Sequence, residues 1–265
     1  LIGFGHRRLS ILDPTPSGHQ PMTDVTNGNV ITYNGEVYNY IEIRTELEKK
    51  GFNFTTGTDT EVILKAYAAF GEDCLTHFNG MFAFAIWDNH KQQMFMARDR
   101  LGVKPFYYQL SDAGDFYFAS EVKAIRVANG KSGLLNDCLI DQYMSFGYVP
   151  GEDTLDQGIK RLLPGHSAIL KNGRLAIKKY WDLNFSNDED LGFDYYLDKS
   201  KSLLNSAIDL RLRSDVPLGI FLSGGLDSSA VVGLLAERTT ERLKTFSIAY
   251  DAGKNFNETK YARQV

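Results

Sequence analysis

The pattern of hydrophobic residues changes near residue 184, and this change restricts the fold more than any other feature of the sequence. Before it, short apolar runs are separated by polar turns, which is typical of antiparallel sheet. After it, two short apolar runs flank a helical segment, the pattern of a βαβ unit with parallel strands. The polar stretch 186–193 between them has no periodicity and is predicted to be a linker. We therefore expect one domain over 1–185 and a second over 194–265.

The two ends predict that the chain is a fragment. Its 265 residues correspond to about 1.8 domains of typical size. The first residue is Leu1 rather than Met, within a predicted strand Leu1–Phe4, and the last lie in a helical pattern that Asn257 would cap. We expect the first domain to be truncated at its N-terminus and the second at its C-terminus.

Composition and charge exclude several classes of protein. Hydrophobic residues make up 43% and aromatic residues 12%, which excludes intrinsic disorder. The net charge of −4, without long runs of one sign, argues against nucleic-acid binding. No apolar run approaches the ~20 residues of a membrane span, so no membrane partner is expected. Two cysteines and no signal-peptide pattern predict a soluble cytoplasmic protein.

Two helices are predicted in the first domain. Tyr40–Lys50 follows Asn39, which has capping-box spacing with Glu42. Asp59–Phe70 places apolar residues on one side, and Thr58 with Glu61 forms a second capping box.

The strands predicted in the first domain alternate with polar turns. They are Asn29–Tyr33, Met81–Trp87, Gln93–Ala97, Pro105–Gln109, Phe116–Ser120, and a hairpin of Ser167–Leu170 with Leu175–Tyr180. Met81–Trp87 is apolar on both faces, so it is predicted to be covered on both sides.

A glycine-rich loop, Ser223–Ser229, is the strongest motif in the second domain. The domain is predicted to contain a helix Phe193–Arg213, a strand Leu218–Leu222, a helix Ser228–Arg238 and a strand Lys244–Tyr250, so the loop joins a strand to a helix. In that position, glycines and the helix N-terminus favour phosphate binding. The alternative is a turn in which Asp227 or Ser228 only caps the helix.

Ser223–Ser229, preceded by Ser214-Asp215-Val216-Pro217, resembles the pyrophosphate loop of ATP pyrophosphatases as it occurs in glutamine-dependent asparagine synthetases. Further motifs similar to that family occur in family order: Arg8–Leu12, Asn34–Glu36, Thr58–Glu61, Arg98–Gly102 and Phe118–Glu121. The resemblance implies an α+β N-terminal domain, with antiparallel sheets sandwiched with helices, of the N-terminal-nucleophile type. It also implies that this domain is followed by the start of an α/β parallel-sheet ATP-pyrophosphatase domain.

The resemblance implies a glutamine site in the first domain, formed by Arg8, Leu9, Ser10, Ile11, Leu12, Asn34, Gly35, Glu36 and Asp59. Asn34 and Gly35 would form the oxyanion hole, which is a catalytic role. Asn-Gly between β-rich runs is also a strong hairpin signal, but a helix cap at Asn39 argues against a second strand there. Arg8 would hold the α-carboxylate and Asp59 the α-ammonium. The alternative for Arg8 is that it is an exposed strand residue. Asp59 can complement the dipole of its helix and bind the α-ammonium at the same time.

In the second domain, the resemblance implies an ATP and pyrophosphate site formed by Leu222, Ser223, Gly224, Gly225, Asp227, Ser228 and Ile248. Asp227 is the expected ligand of Mg²⁺. Leu222 and Ile248 fit equally well as buried strand residues.

The nucleophile of class II amidotransferases is an N-terminal cysteine, so it is expected upstream of Leu1. Cys74 and Cys138 lie in predicted helical stretches, where small buried apolar roles are expected of both.

The resemblance implies synthesis of asparagine from glutamine, aspartate and ATP, with Mg²⁺, and it is compatible with a homodimer. Two alternatives stay open: a related enzyme that amidates another carboxylate, and a non-catalytic paralogue.

Overall fold

The protein, described by a computed structural model, forms two compact units, Leu1–Phe185 and Ser186–Val265. The structure describes residues 1–130, 133–185, 189–239, 242–249 and 258–265. Part of the predicted linker, 186–188, lies outside these residues. In the described part of the chain, no helix is long and apolar enough to cross a membrane.

The first unit contains two antiparallel sheets. Its strands are β1 (Met22–Thr23), β2 (Val30–Val37), β3 (Gly80–Asp88), β4 (Gln93–Arg98), β5 (Tyr107–Leu110), β6 (Phe116–Ala119), β7 (Lys160–Arg161), β8 (His166–Lys171) and β9 (Arg174–Lys179). The larger sheet has six strands in the order β1-β2-β3-β4-β8-β9, and the smaller has three in the order β6-β5-β7.

Helices lie outside both sheets. Those of the first unit are α1 (Tyr40–Lys49), α2 (Asp59–Phe70), α3 (Cys74–His77), α4 (Val122–Asn129) and α5 (Ile140–Phe146), with short 3-10 turns at Pro16–Gly18, Gly71–Asp73 and Asp137–Leu139. Alternate residues of the larger sheet point to opposite faces. One face, including Tyr33 and Phe84, packs with α1 and α2. The other, including Ala85, packs with Tyr108 of the smaller sheet and with Phe106, which precedes β5. Because α4 contacts β5 and β6, the layers run helix, sheet, sheet, helix.

The α+β class is confirmed, and so are most local predictions in this unit. Helix α2 has the predicted bounds, and the Thr58 side chain accepts a hydrogen bond from the Glu61 N–H, as its capping box requires. Strand β3 is largely buried along its length, as its two apolar faces predict. The hairpin of β8 and β9 turns at Asn172-Gly173, where both residues have positive φ.

A predicted strand and a predicted helix cap in the first unit are wrong. Residues 1–4 form no strand. Helix α1 begins at Tyr40, but the Asn39 side chain does not cap it. The Asn39 amide instead donates to the His77 carbonyl, and its oxygen accepts from the Asn79 N–H at 2.8 Å. A contact with a segment 38 residues away in sequence thus replaces the local cap.

The second unit contains the predicted parallel strand pair with shorter strands. Its elements are α6 (Phe193–Arg211), β10 (Ile220–Phe221), α7 (Leu226–Ala236), β11 (Thr245–Phe246) and α8 (Thr259–Ala262). Strands β10 and β11 pair in parallel, as a βαβ unit requires. Helix α7 begins two residues before the predicted Ser228, and the predicted strand residue Tyr250 and cap Asn257 lie outside the described residues.

Candidate functional site

A cavity of about 900 Å³ lies in the first unit and brings together residues from distant parts of the sequence. Ala83 and Ala85 of β3 line one side, and Phe118 and Ser120, at the end of β6, line another. All but one of the residues predicted to bind glutamine line it: Arg8, Leu9, Ile11, Leu12, Asn34, Gly35, Glu36 and Asp59. Ser10 is not among the lining residues. The small side chains of β3 leave the space between the sheets that the cavity occupies.

Asn34 and Gly35 lie within strand β2, not in a hairpin turn. They pair with Ala83 and Phe82 of β3, so the hairpin interpretation is wrong, although the helix cap that argued against it is absent. At Gly35 φ is +155°, and a Cβ there would lie 2.2 Å from the backbone oxygen of Met81. Only glycine therefore fits this close approach of the two strands.

The Asn34 side-chain amide is held from the smaller sheet. Its Nδ2 donates to Ser120 Oγ at 3.2 Å, across 86 positions of sequence. One N–H of the amide is thereby directed at the serine, which leaves the other for a ligand. Ser120 belongs to the Phe118–Glu121 motif, but its contact with Asn34 could not be predicted from local pattern.

Arg8 is half-buried and lies outside any strand, so the alternative of an exposed strand residue is wrong. Its guanidinium donates to the Asp13 carbonyl at 2.8 Å and to the Leu12 carbonyl. The guanidinium also packs so closely on Gly18 that a Cβ there would clash. These contacts use two of the five N–H donors of an arginine and fix the orientation of its planar group.

Asp59 combines a helix position with a position at the cavity. It is the first residue of α2 and is only 5% exposed. Its Oδ2 accepts hydrogen bonds from the Tyr33 hydroxyl at 2.8 Å and from the Val37 N–H at 2.9 Å. Burial raises the pKa of this carboxyl, and the two hydrogen bonds act in the opposite direction.

Sequence reasoning missed several polar residues of the cavity, including His6, Gln20 and Tyr33. His6 Nδ1 lies 3.2 Å from Thr32 Oγ1, and burial, followed by the charge of Arg8, lowers the pKa of the imidazole. The sequence signal that could have indicated Thr32 is the alternation of side chains along β2. Thr32 lies two residues before Asn34, so both side chains point to the face of the strand that lines the cavity. Tyr33 has the opposite parity, so this alternation does not indicate it, although it lines the cavity and its hydroxyl donates to Asp59.

Neither cysteine lines the cavity. Cys74 is buried in α3, as predicted, and burial raises the pKa of its thiol. Cys138 is exposed, so the prediction of a buried role is wrong for that residue.

The Arg98–Gly102 motif builds the loop that leads to Lys104 at the cavity. The buried Asp99 carboxylate accepts backbone N–H groups of Leu101, Val103, Lys104 and Phe82 at 2.9–3.2 Å. The Arg98 guanidinium donates to the carbonyls of Gly102, Lys104 and Leu162. Both side chains satisfy backbone groups that a tight loop leaves unpaired.

In the second unit, the glycine-rich loop ends at the N-terminus of α7. The N-cap is Gly225, without a side-chain cap, so the interpretation of Asp227 or Ser228 as caps is wrong. Ser223 Oγ accepts from the Gly225 N–H at 3.2 Å and lies 3.1 Å from Ser228 Oγ. Gly224 has φ +82°. Exposed hydroxyls and first-turn N–H groups therefore face one loop, an arrangement suited to an anion.

The other residues predicted around this loop differ in burial. Leu222 is buried, and its carbonyl accepts from Ser247 Oγ at 2.6 Å. Ile248 lies beyond β11 and is 66% exposed, so it is not the buried strand residue of the alternative interpretation. Asp227 is exposed in the first turn of α7. One carboxylate beside a loop suited to an anion is compatible with Mg²⁺, which takes few protein ligands together with substrate oxygens.

The helix–sheet–sheet–helix layers and the cavity define an amidotransferase-like α+β domain of the N-terminal-nucleophile type, followed by a short parallel sheet. Residues 1–181 match the family described as glutamine amidotransferase domain, and residues 199–265 match the family described as asparagine synthase. The chain therefore belongs to the class II glutamine amidotransferase family and continues into the start of an asparagine synthase domain.

Curated relatives carry related names. A putative asparagine synthetase [glutamine-hydrolyzing] 2 of Methanocaldococcus jannaschii is 40% identical over 100% of this chain and 54% of its own length. Asparagine synthetase [glutamine-hydrolyzing] 1 of Bacillus subtilis is 39% identical over 100% of this chain and 41% of its length. Amidase chry2 of Gibberella zeae is 31% identical over 100% of this chain and 41% of its own length. The chain thus spans about half the length of these relatives or less.

Among solved structures, a glutamine phosphoribosylpyrophosphate amidotransferase from B. subtilis is 18% identical to this chain. The superposition has a TM-score of 0.46 and covers 95% of this chain and 53% of the chain of that structure.

Proposed function

We propose that the full-length protein is a glutamine-dependent asparagine synthetase. The observation that carries this proposal is the lining of the cavity: a cation at Arg8, a buried carboxylate at Asp59 and the amide of Asn34 beside Gly35. A free amino acid presents an α-carboxylate, an α-ammonium and a side-chain amide, and these three groups complement that lining.

In the first step, Arg8 holds the α-carboxylate of glutamine and Asp59 accepts from its α-ammonium. A cysteine thiolate, which the family places at the N-terminus, attacks the side-chain carbonyl carbon and forms a tetrahedral oxyanion. The Asn34 amide and the Gly35 N–H stabilise that oxyanion, and one such donor contributes about 3 kcal/mol in comparable sites. Ammonia leaves with a proton, and water then hydrolyses the thioester to glutamate.

In the second step, the β-carboxylate of aspartate attacks the α-phosphorus of ATP, which gives β-aspartyl-AMP and pyrophosphate. The loop from Ser223 to Ser228 holds the pyrophosphate with hydroxyls and backbone N–H groups. When bound at Asp227, Mg²⁺ neutralises charge on the phosphate oxygens. Ammonia then attacks the acyl carbon, so the products are asparagine and AMP.

The second candidate is amidation of a different carboxylate. Its support is that Amidase chry2 of Gibberella zeae and Amidase chyE of Penicillium rubens are 31% and 33% identical to this chain. The two candidates share the glutamine step and differ only in the acceptor.

The two steps are separable by assaying full-length protein with glutamine, aspartate and ATP. We expect asparagine and glutamate from the wild type, and glutamate alone from Asp227→Ala, because Asp227 belongs to the pyrophosphate loop and lies in the second unit. Glutamine consumption without asparagine in the wild type would favour a different acceptor. Undiminished asparagine synthesis by Asp227→Ala would contradict the assignment of the loop.

A further inference from the structure

A buried tyrosine connects the two ends of the glutamine site. Tyr33 is 3% exposed, and its hydroxyl donates to Asp59 Oδ2 at 2.8 Å. The Val37 N–H donates to the same oxygen at 2.9 Å. Both donors come from β2, the strand that carries Asn34 and Gly35. The carboxylate at the start of α2 is therefore fixed by the strand that carries the candidate oxyanion hole.

The backbone around Tyr33 is itself held in place. Gln20 is buried, and its Oε1 accepts from the Tyr33 N–H at 2.8 Å. The amide of Gln20 donates to Thr60 Oγ1 at 3.3 Å, and Thr60 follows Asp59 in the chain. Gln20 thus bridges the tyrosine and the helix start, which limits the relative movement of the two residues.

We propose that Tyr33 is a positioning residue that directs the Asp59 carboxylate at the α-ammonium of glutamine and so selects α-amino acids over deaminated analogues. This inference rests on the proposed function, because it assumes that Asp59 receives the ammonium. Two donors on Oδ2 restrict rotation of the carboxylate. A carboxylate fixed before binding loses less entropy when it accepts the ligand, which increases affinity.

The hydrogen bond also influences the charge of Asp59. Burial raises the pKa of this carboxyl, and the bonds from Val37 and Tyr33 lower it. The charge of Arg8 lowers it as well, while Glu36 and Tyr38 are the other titratable groups around the tyrosine. Loss of the Tyr33 hydroxyl therefore moves the pKa of Asp59 upward and favours the neutral form, which cannot pair with an ammonium.

The test compares L-glutamate with glutarate as inhibitors of glutamine hydrolysis by the full-length protein. The two ligands share a carbon skeleton and differ in the α-ammonium, and neither is consumed. In Tyr33→Phe we expect inhibition by L-glutamate to weaken about tenfold, the scale of one hydrogen bond to a charged group, and that by glutarate to change less than about twofold. The pH below which L-glutamate binding weakens should also be higher in Tyr33→Phe than in the wild type.

Tyr67→Phe is the matched control. The Tyr67 hydroxyl is likewise buried and donates to a carboxylate, Asp88 Oδ2, at 2.9 Å, but it does not line the cavity. This variant should leave both inhibition constants unchanged.

Equal weakening of both ligands in Tyr33→Phe, or no weakening, would overturn the inference. The role that the proposed function gives to Asp59 fails separately: it is contradicted if Asp59→Asn binds L-glutamate as tightly as the wild type does. Tyr33→Phe can therefore fail while the Asp59 assignment stands.

Discussion

Replacement of Gly35 by alanine tests the close approach of β2 and β3 on which the candidate oxyanion hole depends. A Cβ at this position would lie 2.2 Å from the Met81 carbonyl oxygen and 2.7 Å from the Phe82 Cα. Both obstacles are backbone atoms of a paired strand, so neither can rotate away. The strands must separate, or the alanine must leave the site.

Two contributions set the magnitude for Gly35→Ala. Crowding in a packed interior costs about 2 kcal/mol. A side chain held in a sparsely populated backbone conformation, here φ +155°, costs about 2 kcal/mol more. We expect the free energy of unfolding to fall by about 4 kcal/mol in total.

Two other glycines separate these contributions. Gly71 has φ +61° and open space around it, so only the unfavourable backbone conformation should destabilise Gly71→Ala. At Gly80 a Cβ would meet the Glu36 carbonyl oxygen at 2.3 Å, and its φ is not in the positive range, so Gly80→Ala bears only the crowding. Urea denaturation followed by circular dichroism gives all three values. The reasoning is refuted if Gly35→Ala is no less stable than Gly71→Ala.

The remaining predictions concern three other side chains. Asp99→Ala should lower the free energy of unfolding by at least about 3 kcal/mol, because it removes the acceptor of four backbone N–H groups; a loss below about 1 kcal/mol in urea denaturation would contradict this. Ser120→Ala should lower kcat for glutamine hydrolysis about tenfold with little change in KM, because the Asn34 amide loses its fixed orientation; a change confined to KM would contradict it. Glutamine binding should weaken on acidification with a midpoint above 3.8, since burial raises the pKa of Asp59 and only its ionised form accepts an ammonium; calorimetric titration across pH measures this, and a midpoint below 3.8 would contradict it. Because that pKa is raised in the folded state, the contribution of Asp59 to stability is present at low pH and lost as pH rises through it, so Asp59→Asn should raise Tm at neutral pH in a thermal melt; a lower Tm would contradict it.

Local signals in the sequence predicted much of the fold. Helix α2, its Thr58 cap and the β8–β9 hairpin depend on neighbouring residues only, and each is confirmed. Asn39 has an equally local signal, for a helix cap, and that prediction is wrong. Asn34-Gly35 has a local signal for a hairpin, the alternative to the oxyanion hole, and no turn forms there. In each case a partner distant in sequence, the segment 77–79 or strand β3, provides hydrogen bonds that compete with the local structure.

The candidate site was predictable to the extent that motif residues line it. Family motifs identified Arg8, Asn34 and Asp59, and the structure places all three at one cavity. The groups that hold them, Tyr33 on Asp59 and Ser120 on Asn34, come from other elements. No spacing rule connects residues 86 positions apart, so these contacts required the three-dimensional structure.

The origin of the amide nitrogen tests the central claim most directly. Full-length protein is incubated with aspartate, ATP and glutamine labelled with ¹⁵N in its side-chain amide, and the products are analysed by mass spectrometry. The proposed function predicts asparagine with ¹⁵N in its side-chain amide, formed together with equal amounts of AMP and glutamate. Consumption of labelled glutamine without labelled asparagine would contradict it.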